Sequence, residues 1–299
     1  MTSDRRLKVV CLHGHPGNRE SMEIFAKYFH NQGIRTISPN LRGYGDCKAN
    51  EPFTMLDHIQ DLWDILVQDY ESEQQNSSNN HQDSEYLILG WSLGGILAME
   101  LALMATESRN PSQNNLMNEN IAKTAPKIVG LVLIATAAKP RSSLPKVLWW
   151  EYVNLVIAVA LHWIVPKQRW HIEWFGKRSL IKYLIHQHTQ VAYDQISRAG
   201  ANAYLQTSRY AQIALMQALR QGYDRTADLA QIQIPCLAIA AEQDRHITAA
   251  STLETAKLLP NCEFISYPNT AHLLPWEIGD RLLADIGAWC DQQFSQGVW

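Results

Sequence analysis

Residues Glu85–Glu100 read EYLILGWSLGGILAME. A short, mostly apolar run meets glycines around one serine, and the chain then takes on helical spacing. A run of this length is a buried strand by pattern, and packing gives no reason for a serine at its C-terminal end. Gly90-Trp91-Ser92-Leu93-Gly94 fits G-x-S-x-G, with a strand before it and a helix after it, the context that motif requires. The chemistry accounts for the glycines. A serine held in a strained backbone conformation on a tight turn projects its hydroxyl above the sheet, and side chains at the flanks would clash. The same turn puts the Leu93 N–H at a helix N-terminus, where it can stabilise an oxyanion. A glycine-rich turn with a capping serine would use the same five residues; the strand, the helix and Gly95 together favour a nucleophile at Ser92.

Outward from this turn, short apolar runs alternate with helical patterns. Strands are expected at Leu7–Leu12, Ile34–Pro39, Tyr86–Leu89, Ile128–Ala135, Cys236–Ala240 and Glu263–Tyr267. Helices are expected at Arg19–Gln32, Thr54–Tyr70 (with Thr54 as cap and Asp57 three residues on), Leu93–Thr106, Ala249–Leu259 and Trp276–Phe294. Near-continuous apolar strands between helices mean an α/β fold with a mostly parallel sheet covered on both faces. The polar stretches Ser72–Ser84 and Glu107–Asn120 read as loops, with room for a short helix at Leu116 and Met117. The alternation lapses from about Lys139 to Leu229, a helical stretch holding five of the ten tryptophans. Residues 1–138 and 231–299 are therefore expected to form the core, and 139–230 a helical cap inserted between two strands.

The 299 residues carry a net charge of −3 and are 46% apolar. That is enough for a sizeable core, and it gives no argument for nucleic-acid binding. The N-terminal residues lack the pattern of a secretory signal. The five cysteines are scattered without CxxC spacing and read as reduced thiols in a cytoplasmic protein. Val147–Val165 is interrupted by Glu151, Asn154 and His162. A helix lying over a pocket or touching a membrane surface fits it better than a membrane span. His13 and His15 have no third partner at metal-ligand spacing, and no phosphate-binding glycine pattern is present. Neither a metal nor a cofactor is expected.

Together these motifs resemble the α/β-hydrolase family along nearly the whole chain. His13-Gly14-His15-Pro16-Gly17 is similar to the family's HGxPG oxyanion loop. Asn40-Leu41-Arg42-Gly43-Tyr44-Gly45-Asp46-Cys47 resembles its D-x-R-G-Y-G-x-S segment, departing at Asn40 and Cys47, a difference that bears on loop hydrogen bonding. Gly90–Gly95 resembles the nucleophile elbow, and Ala271-His272 the site of the base. The resemblance aligns the first strand with the family's third. It is with capped esterase-like members, not with the epoxide hydrolases and haloalkane dehalogenases, which carry aspartate at the position of Ser92.

A serine hydroxyl needs a base to take its proton. Among eleven histidines, His272 lies just past the last strand, at the sheet edge where Ser92 also lies, and the order serine, acid, histidine agrees. His13 is the next candidate, to which the resemblance gives a structural role; His246 could line the pocket. For the acid, Asp244 ends the strand-like run CLAIAAEQD, one strand before His272, with Glu242 two residues earlier as competitor. The resemblance of AEQDRHI to the family's G-x-x-D segment favours Asp244. It also assigns the second oxyanion donor, beside Leu93, to the backbone N–H of His15. The expected substrate is a small apolar ester or similar acyl compound, with Trp91, Trp149, Trp150 and Trp163 as candidate pocket residues. Carbon–carbon hydrolysis, elimination, thioester cleavage and ligand reception without turnover use the same fold and residues, and the sequence does not separate them.

Overall fold

The computed structural model describes residues 7–76, 84–109 and 126–294. Among these residues six strands form one all-parallel sheet: β1 (Leu7–Leu12), β2 (Arg35–Ile37), β3 (Glu85–Trp91), β4 (Lys127–Ile134), β5 (Cys236–Ala241) and β6 (Cys262–Tyr267). Their order across the sheet is β2-β1-β3-β4-β5-β6. The chain runs outward from β1 to β2, then returns to add β3 on the other side of β1. The crevice outside the carboxyl ends of β1 and β3 is thus the switch point where such sheets bind ligands.

Both faces of the sheet are covered, as its apolar strands require. Val9 and Cys11 of β1 pack with Leu87, Leu89 and Trp91 of β3 against α1 (Glu23–Asn31) and α11 (Gly279–Phe294). The alternate residues Val10, Leu12, Tyr86 and Ile88 pack against α2 (Met55–Asn76) and α3 (Leu93–Arg109). Lys8, the one charge in β1, is buried and paired with Asp69 and Glu73 of α2. That pairing is what lets a cation sit in a covered strand.

Several boundaries differ from the sequence expectation. A 3-10 turn, Arg19–Met22, precedes α1. Helix α2 runs on to Asn76, into residues expected as loop; its last turns are rich in Glu and Gln, good helix formers, and Glu73 is held by Lys8 and Arg35. At its start both the N–H and the hydroxyl of Thr54 donate to Asp57 Oδ2. Helix α3 reaches Arg109; the rest of that expected loop, with Leu116 and Met117, lies outside the described residues. The expected C-terminal helix is two, α10 (Leu274–Glu277) and α11.

Between β4 and β5 the chain is helical. It holds α4 (Trp149–Ile164), α5 (Trp170–Trp174), α6 (Gln190–Gln195), a π-helical turn (Ile196–Gly200), α7 (Ala201–Gln206) and α8 (Arg209–Arg220). Helix α9 (Ala249–Leu258) follows β5. This inserted segment touches the loops at the carboxyl edge of the sheet. Ser208 N donates to Gly43 O, and Leu273 N to Leu184 O. Among the described residues no helix is long and apolar enough to cross a membrane, and all five cysteines are in the thiol form.

Candidate active site

Ser92 sits between β3 and α3 with φ at +56°, a left-handed conformation that is uncommon for a non-glycine residue. Its N–H donates to Ile134 O at the end of β4. The flanking glycines are required by contact. A Cβ on Gly90 would lie 2.3 Å from Gly94 O, and one on Gly94 would lie 2.0 Å from Leu12 O. The turn is thus wedged against the end of β1. The loop that follows β1 closes over it: a Cβ on Gly14 would be 3.1 Å from Ser92 Cβ.

Asp244 follows β5 and His272 follows β6, so three strand ends deliver three side chains to one edge. His272 Nε2 is 3.0 Å from Ser92 Oγ, and its Nδ1 is 2.7 Å from Asp244 Oδ2. The other carboxylate oxygen, Asp244 Oδ1, accepts from the backbone N–H of His246 at 2.7 Å and of Ile247 at 3.0 Å. An ionised carboxylate only accepts, so the network assigns the imidazole hydrogen to Nδ1 and leaves Nε2 to accept from the serine. Ser92, Asp244 and His272 are all buried, Ser92 being 8% exposed. Glu242, the competing acid, is exposed at the surface.

The base is fixed from several sides. Trp91 Nε1 donates to His272 O at 3.0 Å, and its ring lies 6.0 Å from the imidazole. The His246 ring lies 5.0 Å from that of His272 at 35°. Burial pushes the His246 imidazole down to about 4, so near neutral pH it is an uncharged neighbour. Glu277 was not foreseen from sequence. Its Oε1 accepts from Ala271 N at 2.7 Å, and its Oε2 from His186 N at 2.8 Å and Gln187 N at 2.6 Å. It therefore ties the residue before His272 to the inserted helices. Burial raises this carboxyl above its ordinary value, against the three N–H groups that favour the ionised form. The only hint in the sequence is its position five residues after His272.

His13 is buried, with Nδ1 donating to Gly14 O at 2.8 Å and Nε2 accepting from Leu41 N at 3.1 Å. It staples the loop after β1 to the segment after β2. Burial pushes it down to about 4, and does the same for His15, whose Nδ1 meets Tyr44 Oη at 2.8 Å. The Tyr44 side chain, also unforeseen, thereby holds the loop that carries the His15 N–H. Leu93 opens α3, so its N–H lies in the first turn, where helix donors have no intrahelical acceptor. Asn40, one of the departures from the expected motif, accepts from Arg19 N and donates to Asp46. Among the candidate pocket tryptophans, Trp91 is buried beside His272, whereas Trp149, Trp150 and Trp163 are 73, 46 and 66% exposed. Among the described residues no group of three or more His, Cys, Asp or Glu side chains is arranged to hold a metal ion.

A family model described as the alpha/beta hydrolase family matches residues 9–285. Proline iminopeptidase from Flavobacterium johnsoniae is 30% identical over 125 residues, 41% of this chain and 38% of that protein. The match therefore spans only about two fifths of the curated relative's length. Among solved structures, an esterase from Exiguobacterium antarcticum superposes with a TM-score of 0.63 at 17% identity, covering 95% of this chain and 91% of that one. A meta-cleavage product hydrolase from Pseudomonas fluorescens IP01 gives 0.63 at 14% identity, covering 96% and 91%. At such identities the likeness is one of fold.

Proposed function

The chain belongs to the alpha/beta hydrolase family, and we propose that within it the protein is a serine hydrolase cleaving a carboxylic ester or similar acyl bond of a small apolar substrate. The observation that carries this reading is the unbroken chain of hydrogen bonds from Ser92 Oγ through His272 to Asp244, with both oxygens of the carboxylate engaged. In the proposed reaction, Ser92 Oγ attacks the acyl carbon while its proton passes to His272 Nε2. The negative charge on the carbonyl oxygen is met by the N–H groups of Leu93 and His15. His272 then gives the proton to the departing alkoxide, leaving an acyl-serine. A water that loses its proton to the same Nε2 attacks the acyl-serine and releases the acid. Asp244 holds the ring and stabilises the imidazolium, and a neutral His246 adds no competing charge.

The inserted residues 139–230 act in this proposal as a cap over the switch-point crevice. Support comes from their bonds to the Gly43 and Leu273 loops and from the Glu277 tie to His186 and Gln187. Five cysteines with no disulfide among them fit a reducing compartment such as the cytoplasm. The second reading, carbon–carbon bond hydrolysis on the same residues, is kept because the meta-cleavage hydrolase superposes as well as the esterase.

The test is fluorophosphonate labelling followed by a substrate panel of p-nitrophenyl esters of rising chain length, acyl thioesters, a prolyl arylamide and a vinylogous diketone. Labelling at Ser92 with turnover of the esters supports the proposal. Labelling with preference for the diketone moves it to carbon–carbon cleavage. No labelling and no turnover removes the enzyme reading and leaves a ligand-binding protein.

A further inference from the structure

Helix α4 is amphipathic in the reverse sense. Its most buried residues include Glu151 and His162, and its most exposed ones are apolar. Inside, Glu151 accepts from Leu148 N and Tyr183 Oη and pairs with Lys182. His162 bonds His171 at 2.9 Å and Asp194 at 2.7 Å. Outside, Trp149, Tyr152, Val156, Trp163 and Ile164 follow one another at spacings of three, four, seven and one, a single stripe along the helix. Trp170 and Trp174 of α5 extend it. Among the described residues, ten of the eighteen large apolar side chains most open to solvent fall within residues 148–174. Nothing in the folding of one chain requires so much apolar surface here.

Charge indicates what meets this surface. Residues 139–190 hold eight Lys or Arg and two acidic residues, in a chain whose net charge is −3. Lys146 precedes α4, and Lys167 and Arg169 follow it, so exposed cations bracket the stripe at both ends. Among the described residues, none of these three is in an ion pair. Arg178 lies over the Trp174 ring at 5.2 Å. Aromatic side chains with apolar bodies and polar edges, between basic groups, suit the headgroup layer of an anionic bilayer. At ~1.5 Å per residue the helix is roughly 24 Å long; it lies along such a surface rather than crossing it. A second copy of the chain is a poorer occupant, because it would bring two basic rims together.

We infer that α4 and α5 form a docking surface for an anionic membrane, laid against the headgroups by the tryptophan stripe and the cations at its ends. The inference stands apart from the proposed chemistry, since its test involves no substrate. The full-length protein is sedimented with sucrose-loaded vesicles of phosphatidylcholine alone and of phosphatidylcholine mixed with phosphatidylglycerol. Intrinsic tryptophan fluorescence is followed in parallel. The expected result is binding at least about tenfold tighter to the anionic vesicles, with a blue shift of emission. With about fivefold per cation near such a surface, removing three charges in Lys146→Gln/Lys167→Gln/Arg169→Gln should weaken it by on the order of 100-fold. Val156→Asp/Ile164→Asp should abolish binding to both vesicle types. These two sites are 66 and 75% exposed, so the fold survives, as an unchanged melting temperature would verify. Absence of binding to anionic vesicles overturns the inference, as does equal binding to both lipids. So does a lipid-independent dimer that Val156→Asp/Ile164→Asp dissolves, since the occupant would then be a second copy.

Discussion

In β5 every residue from Cys236 to Ala241 is apolar and buried. In α4 the fully covered positions include Glu151 and His162, while Trp149 and Trp163 face solvent. The two regions obey different rules of burial. A strand inside a doubly covered sheet has nowhere to put a polar side chain, so its chemistry and its burial coincide. A helix on the rim of the fold can bury polar groups wherever partners meet them, as Lys182, Tyr183, His171 and Asp194 do here. The sheet region carries the candidate chemistry, and the insert meets it through backbone bonds, through ion pairs such as Arg225 with Glu100, and through apolar side chains such as Ile172, Tyr193 and Ile196 packed into one core with Trp91 and Trp276. The comparison therefore makes a graded prediction: the effect of a substitution on turnover should fall with its distance, in bonding steps, from the ends of β3, β5 and β6.

The largest effect belongs to Ser92→Ala. Labelling by a fluorophosphonate and turnover should both be lost, with the melting temperature retained, because the alanine keeps the backbone bond to Ile134 O and removes only an oxygen. Wild-type labelling at another residue would break the assignment of the site to this sheet edge.

Next comes Asp244→Asn, expected to lower kcat by roughly 10⁴-fold, as when a triad loses control of its histidine tautomer. Glu242→Gln, two residues away and exposed, should change kcat less than about twofold, within the small range of surface substitutions. Steady-state kinetics on one ester decide between them, and the reverse ranking would move the acid to Glu242.

These two tests concern residues that were legible in the sequence, for a physical reason. Parallel strands covered on both faces must be near-continuous apolar runs, and the side chains at their carboxyl ends are few. Ser92 could be picked out because it immediately follows such a run; Asp244 and His272 lie a few residues past the ends of β5 and β6 and were chosen with the help of the family resemblance, and the structure brings all three within hydrogen-bond distance. Tyr44 and Glu277 were not legible, since their roles are contacts to His15 and to backbone N–H groups that no spacing encodes. The direction of the α4 tryptophans was not legible either. That Trp149 and Trp163 share a face follows from fourteen residues of unbroken helix, but a helix with apolar groups nearly all round does not say which face turns inward.

Glu277 is where the two regions join, and Glu277→Gln should have an intermediate effect. Three N–H donors converge on two carboxylate oxygens. An amide must aim its NH₂ at one oxygen's donors, leaving a buried N–H unsatisfied at a cost of about 1–3 kcal/mol. Both the loop of His272 and the turn at His186 should loosen, lowering kcat about tenfold or more with little change in KM. Hydrogen exchange at Ala271, His186 and Gln187 should quicken together. If only the inserted segment loosens and kcat holds, the two regions are less coupled than their bonds indicate.

The smallest effect is expected within the insert, at Glu151→Gln. The glutamine can still accept from Leu148 N, but it loses the charge paired with Lys182. Lys182 is itself about a third exposed, and such a half-open pair contributes on the order of 1 kcal/mol or less. The pH dependence gives a sharper readout than the magnitude. The Leu148 N–H, and after it Lys182, hold the Glu151 carboxyl below its ordinary value of 4.5. The folded protein therefore gains stability from the ionised carboxylate above about pH 4.5, and loses it as the pH falls through the lower folded-state value. Glutamine has no such dependence. Thermal melts of the two proteins should differ at pH 7 and converge below about 4.5, while kcat at neutral pH stays within about twofold. Melting curves that shift as one cooperative transition would mean that insert and sheet unfold together. A low-temperature transition confined to the variant would mean that the insert unfolds first, despite the apolar core it shares with the sheet.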